Sequence, residues 1–352
     1  MSYADGWAAM NLEMPARVPH TEYSLEGHWE LIKVVTGIDA SPESPEALKR
    51  EAAFALYKAW DFDFRWSTLI GNEELGEVQT DMGHAVYAAG GVDWRDTIHC
   101  PFTTPEQVLA FDPWETYGPK DKAALVRRFE EHYRQQAEET PEMITMTGVY
   151  ITCISGLIAM FGWDMLLLAA GTDPQRFGEV TNRYITWIQQ YYDALGEADV
   201  PVVMVHDDIV WSSGAFISPK WYREYVFPNY KKLFAPLIDS GKKIMFTSDG
   251  DYTKFIDDIA GCGVNGFVME PFTDMAYIAE KYGKTHVFIG NADTRILLRG
   301  DRPAIRAEVE RCMAIGKGCP GFFMAVGNHI PSNTPVDAVL YYEKVVEELS
   351  RR

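Results

Sequence analysis

From residue 202 to residue 349 short apolar runs alternate with longer amphipathic ones, five times in succession. The apolar runs lie at 202–205, 244–247, 266–269, 287–289 and 321–325. The helical stretches lie at 219–240, 252–260, 275–282, 302–315 and 336–349. A helical crossover returns the chain to the end of the sheet it left, so such strands pair in parallel. Strand-like runs at 62–66 and 143–147 raise the candidates to seven, and further helices are expected at 44–60, 120–139, 156–170 and 177–195. Ser44 suits a helix N-cap and Pro45 the first helical position. The pattern fits an α/β fold, a distorted (β/α)8 TIM-like barrel with one strand unread or irregular. An open doubly wound sheet is the alternative, but no GxGxxG follows the first strand. Residues 1–352 are expected to form one barrel domain, with residues 1–60 a helical N-terminal extension.

In a closed barrel the C-terminal strand ends converge on the active site. The residues just after the strands are conspicuously polar. They are Tyr150 and Thr152, His206-Asp207-Asp208, Thr247-Ser248-Asp249-Gly250, Glu270, Asn291 with Asp293, and Asn328-His329. A single acid at a strand end serves as a helix cap about as often as it serves chemistry; several polar strand ends converging are harder to explain by packing. Asp251 is a better cap for the next helix than Asp249, which leaves Asp249 for the site. Asp207 and Asp208 are adjacent on an extended backbone, so at most one of them faces the pocket. Asn291 and Asp293 read equally as loop braces, and His206 as a rim hydrogen-bonder. His329 lies in the loop GNHIPSNTP, with no helical face to bury it.

The formal net charge of −19 and a sequence pI near 4.8 argue against nucleic acid and anionic membrane surfaces as partners. No run approaches ~18 uninterrupted apolar residues, so no membrane span is expected. The opening MSYADGWAAMNLEMP lacks the basic and apolar regions of a signal peptide. The five cysteines, Cys100, Cys153, Cys262, Cys312 and Cys319, include no CxxC pair and suit a cytoplasmic location with free thiols. There is no GxSxG, no HExxH and no Walker loop, which disfavours serine hydrolase, zincin and P-loop chemistry. The 10 Trp, 18 Tyr and 18 Phe supply a core, or walls that stack a planar ligand.

Several segments taken in order carry a family resemblance. They are HDDIVWSSGAFISPKWYREYVFPNYKKL from His206, TSDGD with AGCGVNGF beyond it, IGNADTRILLRGD, and GFFMAVGNHIPSNTPVDAV, with TDPQRF after Gly171. This set resembles the uroporphyrinogen decarboxylase superfamily, well over residues 140–350 and weakly before. The resemblance implies a distorted (β/α)8 barrel and one of two activities. The tetrapyrrole decarboxylases carry an RQAGR-like arginine motif, where this chain reads MPARVPHTEYS. The other branch is the corrinoid-dependent methyltransferases, which exchange a methyl group with a cobalamin held by a partner protein. Their zinc-dependent members place His-x-Cys after the strand matching 244–247, and a further Cys near the last-strand loop. Here those positions read Thr247-x-Asp249 and Gly327-Asn328-His329, without thiolates.

What the resemblance then implies is a methyltransferase acting on a small methylated substrate other than a thiol, best an aromatic methyl ether. The methyl would pass to cobalamin on a separate corrinoid protein, since the chain has no DxHxxG cobalamin-binding stretch. Asp249, His329, His206 and Glu270 are the candidates to protonate the leaving oxygen. Tyr150, Asp207, Asp208, Trp211, Phe216, Asn291 and Asn328 are the candidates to bind substrate. Any zinc would fall to Asp249, Glu270 and His329. The alternatives are a decarboxylase of another small carboxylate, for which Arg295 and Arg299 are the nearest basic residues, and a corrinoid- or tetrapyrrole-binding module without catalysis. A homodimer is compatible with all three.

Overall fold

The computed structural model describes residues 3–81 and 99–352, with the antiparallel backbone pair Tyr87–Ala88 and Gly91–Val92 between them. Its centre is a ring of parallel strands. They are β1 (Phe64–Arg65), β2 (Ile144–Thr145) continued after one residue by β3 (Thr147–Val149), β4 (Val202–His206), β5 (Lys243–Ser248), β6 (Gly266–Met269), β7 (Val287–Ile289) and β8 (Phe322–Phe323). β1 pairs with β2, and β3 to β8 pair in sequence order. All seven expected strands are present: β1 and β8 are shorter than expected, β4 and β5 slightly longer, β6 and β7 as expected, and the 143–147 run is broken at Met146 and continues to Val149.

The eighth stave is the irregular segment around Pro19–Thr21. The Met324 N–H donates to the Pro19 carbonyl at 2.8 Å, and the Thr21 N–H to the Met324 carbonyl at 3.1 Å. On the other flank the Asp63 N–H donates to the His20 carbonyl at 2.9 Å, and the Thr21 hydroxyl to the Phe64 carbonyl at 2.7 Å. The segment closes the ring between β8 and β1, so the N-terminal region supplies a piece of the barrel as well as the helices Tyr3–Met10, Trp29–Thr36 and Glu46–Ala59. Pro15 and Pro19 deprive it of ladder donors, which is why it carries no strand pattern.

Alternation along the strands sorts two cores. Phe64, Ile144, Met146, Val202, Met204, Met245, Val268, Ile289 and Phe323 fill the barrel, plugged from below by Ala9 and Met10 of the first helix. Val203, Val205, Phe246, Phe267 and Phe288 point outward and pack under the helices. Gly148 lies where β3 crosses close to β4, and a Cβ there would collide with the Met204 carbonyl. Helix Ile154–Thr172 is long and apolar enough for a membrane span, yet 61% of its most apolar window is buried inside the fold, which accounts for its composition.

Three expected boundaries shift. Pro45 is itself the N-cap of Glu46–Ala59, and Ser44 instead accepts the Ser41 N–H at 3.0 Å. The stretch 219–240 divides at Val226 into Pro219–Tyr225 and Phe227–Asp239, because Pro228 lacks an N–H to continue the ladder. The stretch after Tyr252 begins as a 3₁₀ turn, Thr253–Phe255, before Ile256–Ala260.

Candidate active site

The loops at the C-terminal ends of the strands enclose a cavity of about 90 Å³. Its apolar lining is Met204, Val268 and Met269; its polar groups come from Tyr23, Tyr150, His206, Thr247, Asp249, Asn328 and His329. They arrive on several different strand ends and loops, as the barrel requires.

His206 ends β4 with its side chain inward and 6% exposed. Its ring lies flat on Tyr150, with centroids 3.7 Å apart and planes 11° from parallel. Nδ1 is 3.1 Å from the Tyr150 carbonyl, which can only accept, so Nδ1 carries a proton. Nε2 lies 3.3 Å from Asp208 Oδ1. Burial by itself lowers the pKa of the imidazole, but Asp208 and, further off, Asp249 outweigh it and push the value up to about 9. His206 is therefore an imidazolium at neutral pH.

Asp249 stands on the sharp turn after β5. Its N–H donates to Asp208 Oδ1 at 3.0 Å. Gly250 next to it takes φ +81, and a Cβ there would sit 2.7 Å from the Trp211 backbone, so this turn needs glycine. Asp251 makes the local cap, accepting the Thr253 N–H at 3.0 Å. Asp249 is exposed to solvent at the cavity, with Asp208, His206, Glu270 and Asn328 close around it. Desolvation by the surrounding groups, with the negative charges of Asp208 and Glu270, raises its pKa from the ordinary carboxylate value; His206 and a hydrogen bond from Asn328 oppose the shift without reversing it.

Glu270 braces this arrangement from behind. It accepts the Gly250 N–H at 2.6 Å and the Asn328 amide at 2.6 Å. His329 is held with its pKa lowered by burial, so it is neutral near pH 7.

Other sequence candidates lie outside the cavity lining. Asp207 points to the opposite side of β4 from His206 and is fully buried. It accepts the Ser155 N–H at 2.6 Å, the Cys153 N–H at 3.3 Å and the Tyr230 hydroxyl, anchoring the start of helix Ile154–Thr172. Asn291 is a brace: its amide donates to the Glu270 and Thr273 carbonyls, both at 3.2 Å, and its carbonyl accepts from Arg311 at 3.0 Å. Asp293 caps Thr294–Arg299 and pairs with Arg295 at 2.7 Å. Trp211 and Phe216 form an aromatic cluster with Trp163, at centroid distances of 5.0 to 5.6 Å, and Trp211 is 43% exposed. Thr152 is buried against the Tyr192 hydroxyl at 2.8 Å.

Two contributors were invisible in the sequence. Tyr23 follows the closing stave, and Ser155 accepts the Asp208 N–H at 2.8 Å. No motif marks either; only closure of the ring brings Tyr23 to the site.

The zinc expectation meets a geometric test here. Among the described residues no three His, Cys, Asp or Glu side chains stand together to hold a metal ion. The five thiols are free, and none lines the cavity. The residues do not fit a zinc site, and no step below depends on one.

A parallel barrel with carboxyl and imidazole groups gathered at the C-terminal strand ends is the build of a TIM-barrel enzyme. A match to the uroporphyrinogen decarboxylase (URO-D) family extends over residues 87–349, and the chain belongs to that family. The uroporphyrinogen decarboxylase of Thermus thermophilus is 29% identical over 161 residues, 46% of this chain and 45% of that protein. That of Pelobacter propionicus is 22% identical over 178 residues, 51% of each. The chain thus aligns with about half the length of these curated relatives. A solved methyltransferase from Methanosarcina mazei shares the fold across 98% of both chains, with a TM-score of 0.65 and 17% identity.

Proposed function

We propose that this chain is a methyltransferase that demethylates a small methylated compound, an aromatic methyl ether in the first instance, and delivers the methyl group to cobalamin on a separate corrinoid protein. The observation that carries this reading is Asp249, a carboxyl at the cavity whose pKa is raised by desolvation and by Asp208 and Glu270, with no lysine, arginine or cysteine among the described lining residues. Cleaving an ether releases an alkoxide or phenolate, and a positioned acid lowers that barrel-bound barrier by protonating the oxygen as the bond breaks. The corrinoid supplies the nucleophile that takes the methyl carbon. The chain's own residues hold the ether oxygen at Asp249, surround the apolar part with Met204, Val268 and Met269, and keep water out. His206 pairs with Asp208, whose negative charge works against ionisation of Asp249.

The second reading is a decarboxylase of another small carboxylate, favoured by the names of the curated relatives. Against it stands the absence of lysine and arginine among the described lining residues, where the imidazolium of His206 is already paired with Asp208.

Anaerobic incubation with 2-methoxyphenol and cob(I)alamin, free or on a corrinoid protein, tests the proposal by visible spectroscopy. The expected result is the spectrum of methylated cobalamin with release of catechol. No transfer from this compound or a panel of methyl ethers and amines, with cobalamin still reduced and a partner present, would overturn it in favour of decarboxylation.

A further inference from the structure

Buried hydroxyl and N–H groups in folded proteins nearly always have a hydrogen-bond partner. Two that belong to this cavity's lining have none, the Tyr23 hydroxyl and Thr247 Oγ1, and neither has Nε1 of Trp66, whose ring packs on Tyr23. Tyr23 and Thr247 line the cavity itself. Trp66 packs on Tyr23 with ring centroids 4.2 Å apart, and both lean on the barrel-filling cluster. Tyr23 comes from the closing stave and Thr247 from β5, so two separate elements deliver unsatisfied hydroxyls to one cavity, with Trp66 from the end of β1 backing Tyr23.

Their chemistry is of one kind. An indole N–H can only donate. The Tyr23 phenol keeps its proton, because burial and the nearby acids Glu22 and Asp249 disfavour its anion. Thr247 is free to donate. The matching ligand therefore brings acceptor atoms. Asp208 and Glu270, behind Asp249, disfavour a carboxylate or phosphate and leave a neutral molecule with acceptor oxygens as the complement.

We infer that Tyr23 and Thr247, with Trp66 packed behind Tyr23, form a substrate-binding donor set that selects neutral ligands by their oxygen atoms, with an aryl ether oxygen or its neighbouring phenol oxygen as acceptor. The choice of aryl ether rests on the function proposed above; the donor set itself does not.

The test is equilibrium binding by calorimetry of 2-methoxyphenol and of 2-ethylphenol, which replaces the ether oxygen with a methylene. Wild type is expected to prefer 2-methoxyphenol by roughly tenfold, the size of one good hydrogen bond. Tyr23→Phe and Thr247→Val should each reduce that preference. Both should keep the wild-type melting temperature or exceed it, since neither removed hydroxyl has a protein partner. Equal affinity for the two ligands, unchanged preference in both variants, no binding by wild type up to millimolar ligand, or a melting temperature several degrees lower would overturn the inference. A preserved oxygen preference without methyl transfer would sink the methyltransferase reading and leave the donor set standing. Methyl transfer with a preference indifferent to both variants would do the reverse.

Discussion

Asp207 and Asp249 are aspartates on neighbouring strand ends with opposite duties, and their surroundings assign them. Asp249 is open to the cavity, and its pKa is raised by desolvation and by the neighbouring Asp208 and Glu270. Asp249→Asn keeps the shape but removes the acid, and methyl transfer is expected to fall by about 10²- to 10⁴-fold with an unchanged circular dichroism spectrum. Because the pKa is raised, wild-type activity should persist through neutral pH and decline only as pH climbs beyond the ordinary carboxylate range; a pH–rate profile measures this. Asp207 faces the helices and holds three donors. Asp207→Ala leaves them unpaired and should cost about 1–3 kcal/mol in denaturant unfolding. Burial pushes the Asp207 carboxyl up to about 6 from an ordinary 3.8, so the folded chain holds this proton more tightly than the unfolded one. This group's contribution to stability is therefore greatest below its unfolded pKa and shrinks as pH rises through the folded one.

At the level of elements, β3 and β4 approach so closely that only glycine fits at position 148. Gly148→Ala should destabilise by about 1–3 kcal/mol or more, read as a lower melting temperature, because the obstacle is a backbone carbonyl that cannot swing aside. The strand pattern was legible because local signals agree: apolar runs of strand length, helices of matching length, and turn residues between them. His206, Asp249 and Asn328 were legible because a polar residue ending an apolar run in a barrel has one natural destination. Asp207 and Asn291 were not separable from them, since a strand end tells the reader only that a residue is near the rim. Which face it takes depends on the pleat and on partners such as Tyr230 and Arg311, far away in sequence. Tyr23 was not legible at all, because its segment has neither strand periodicity nor a motif.

Across the whole molecule, the barrel depends on a buried clasp that fastens the closing stave to the last helix, Val336–Ser350. Glu22 accepts the Val326 N–H at 3.0 Å and the Tyr342 hydroxyl at 2.6 Å, and lies 2.8 Å from His20 Nε2. The other ring nitrogen of His20 is 3.3 Å from Glu343. Burial opposes the charged imidazole, but the two glutamates prevail and push its pKa up to about 10. A histidine whose folded pKa exceeds its unfolded value stabilises fully below about 6.5 and loses that contribution as pH rises through about 10. Denaturant unfolding from pH 6 to 10 should therefore show falling stability. His20→Gln should flatten the curve and lower its acid end. Because the clasp seats the stave that carries Tyr23, the same variant should also weaken ligand binding.

The sequence by itself determined the period of the chain, the parallel order of its strands and the polar character of the rim, because these follow from local burial and backbone preference. Only the tertiary structure decided how the ring closes and which rim residues face inward. Ring closure rests on a few hydrogen bonds between the chain's first residues and its last strand, and inward facing on partners remote in sequence. A contact between positions some three hundred residues apart, such as Glu22 with Val326, leaves no trace in either neighbourhood alone.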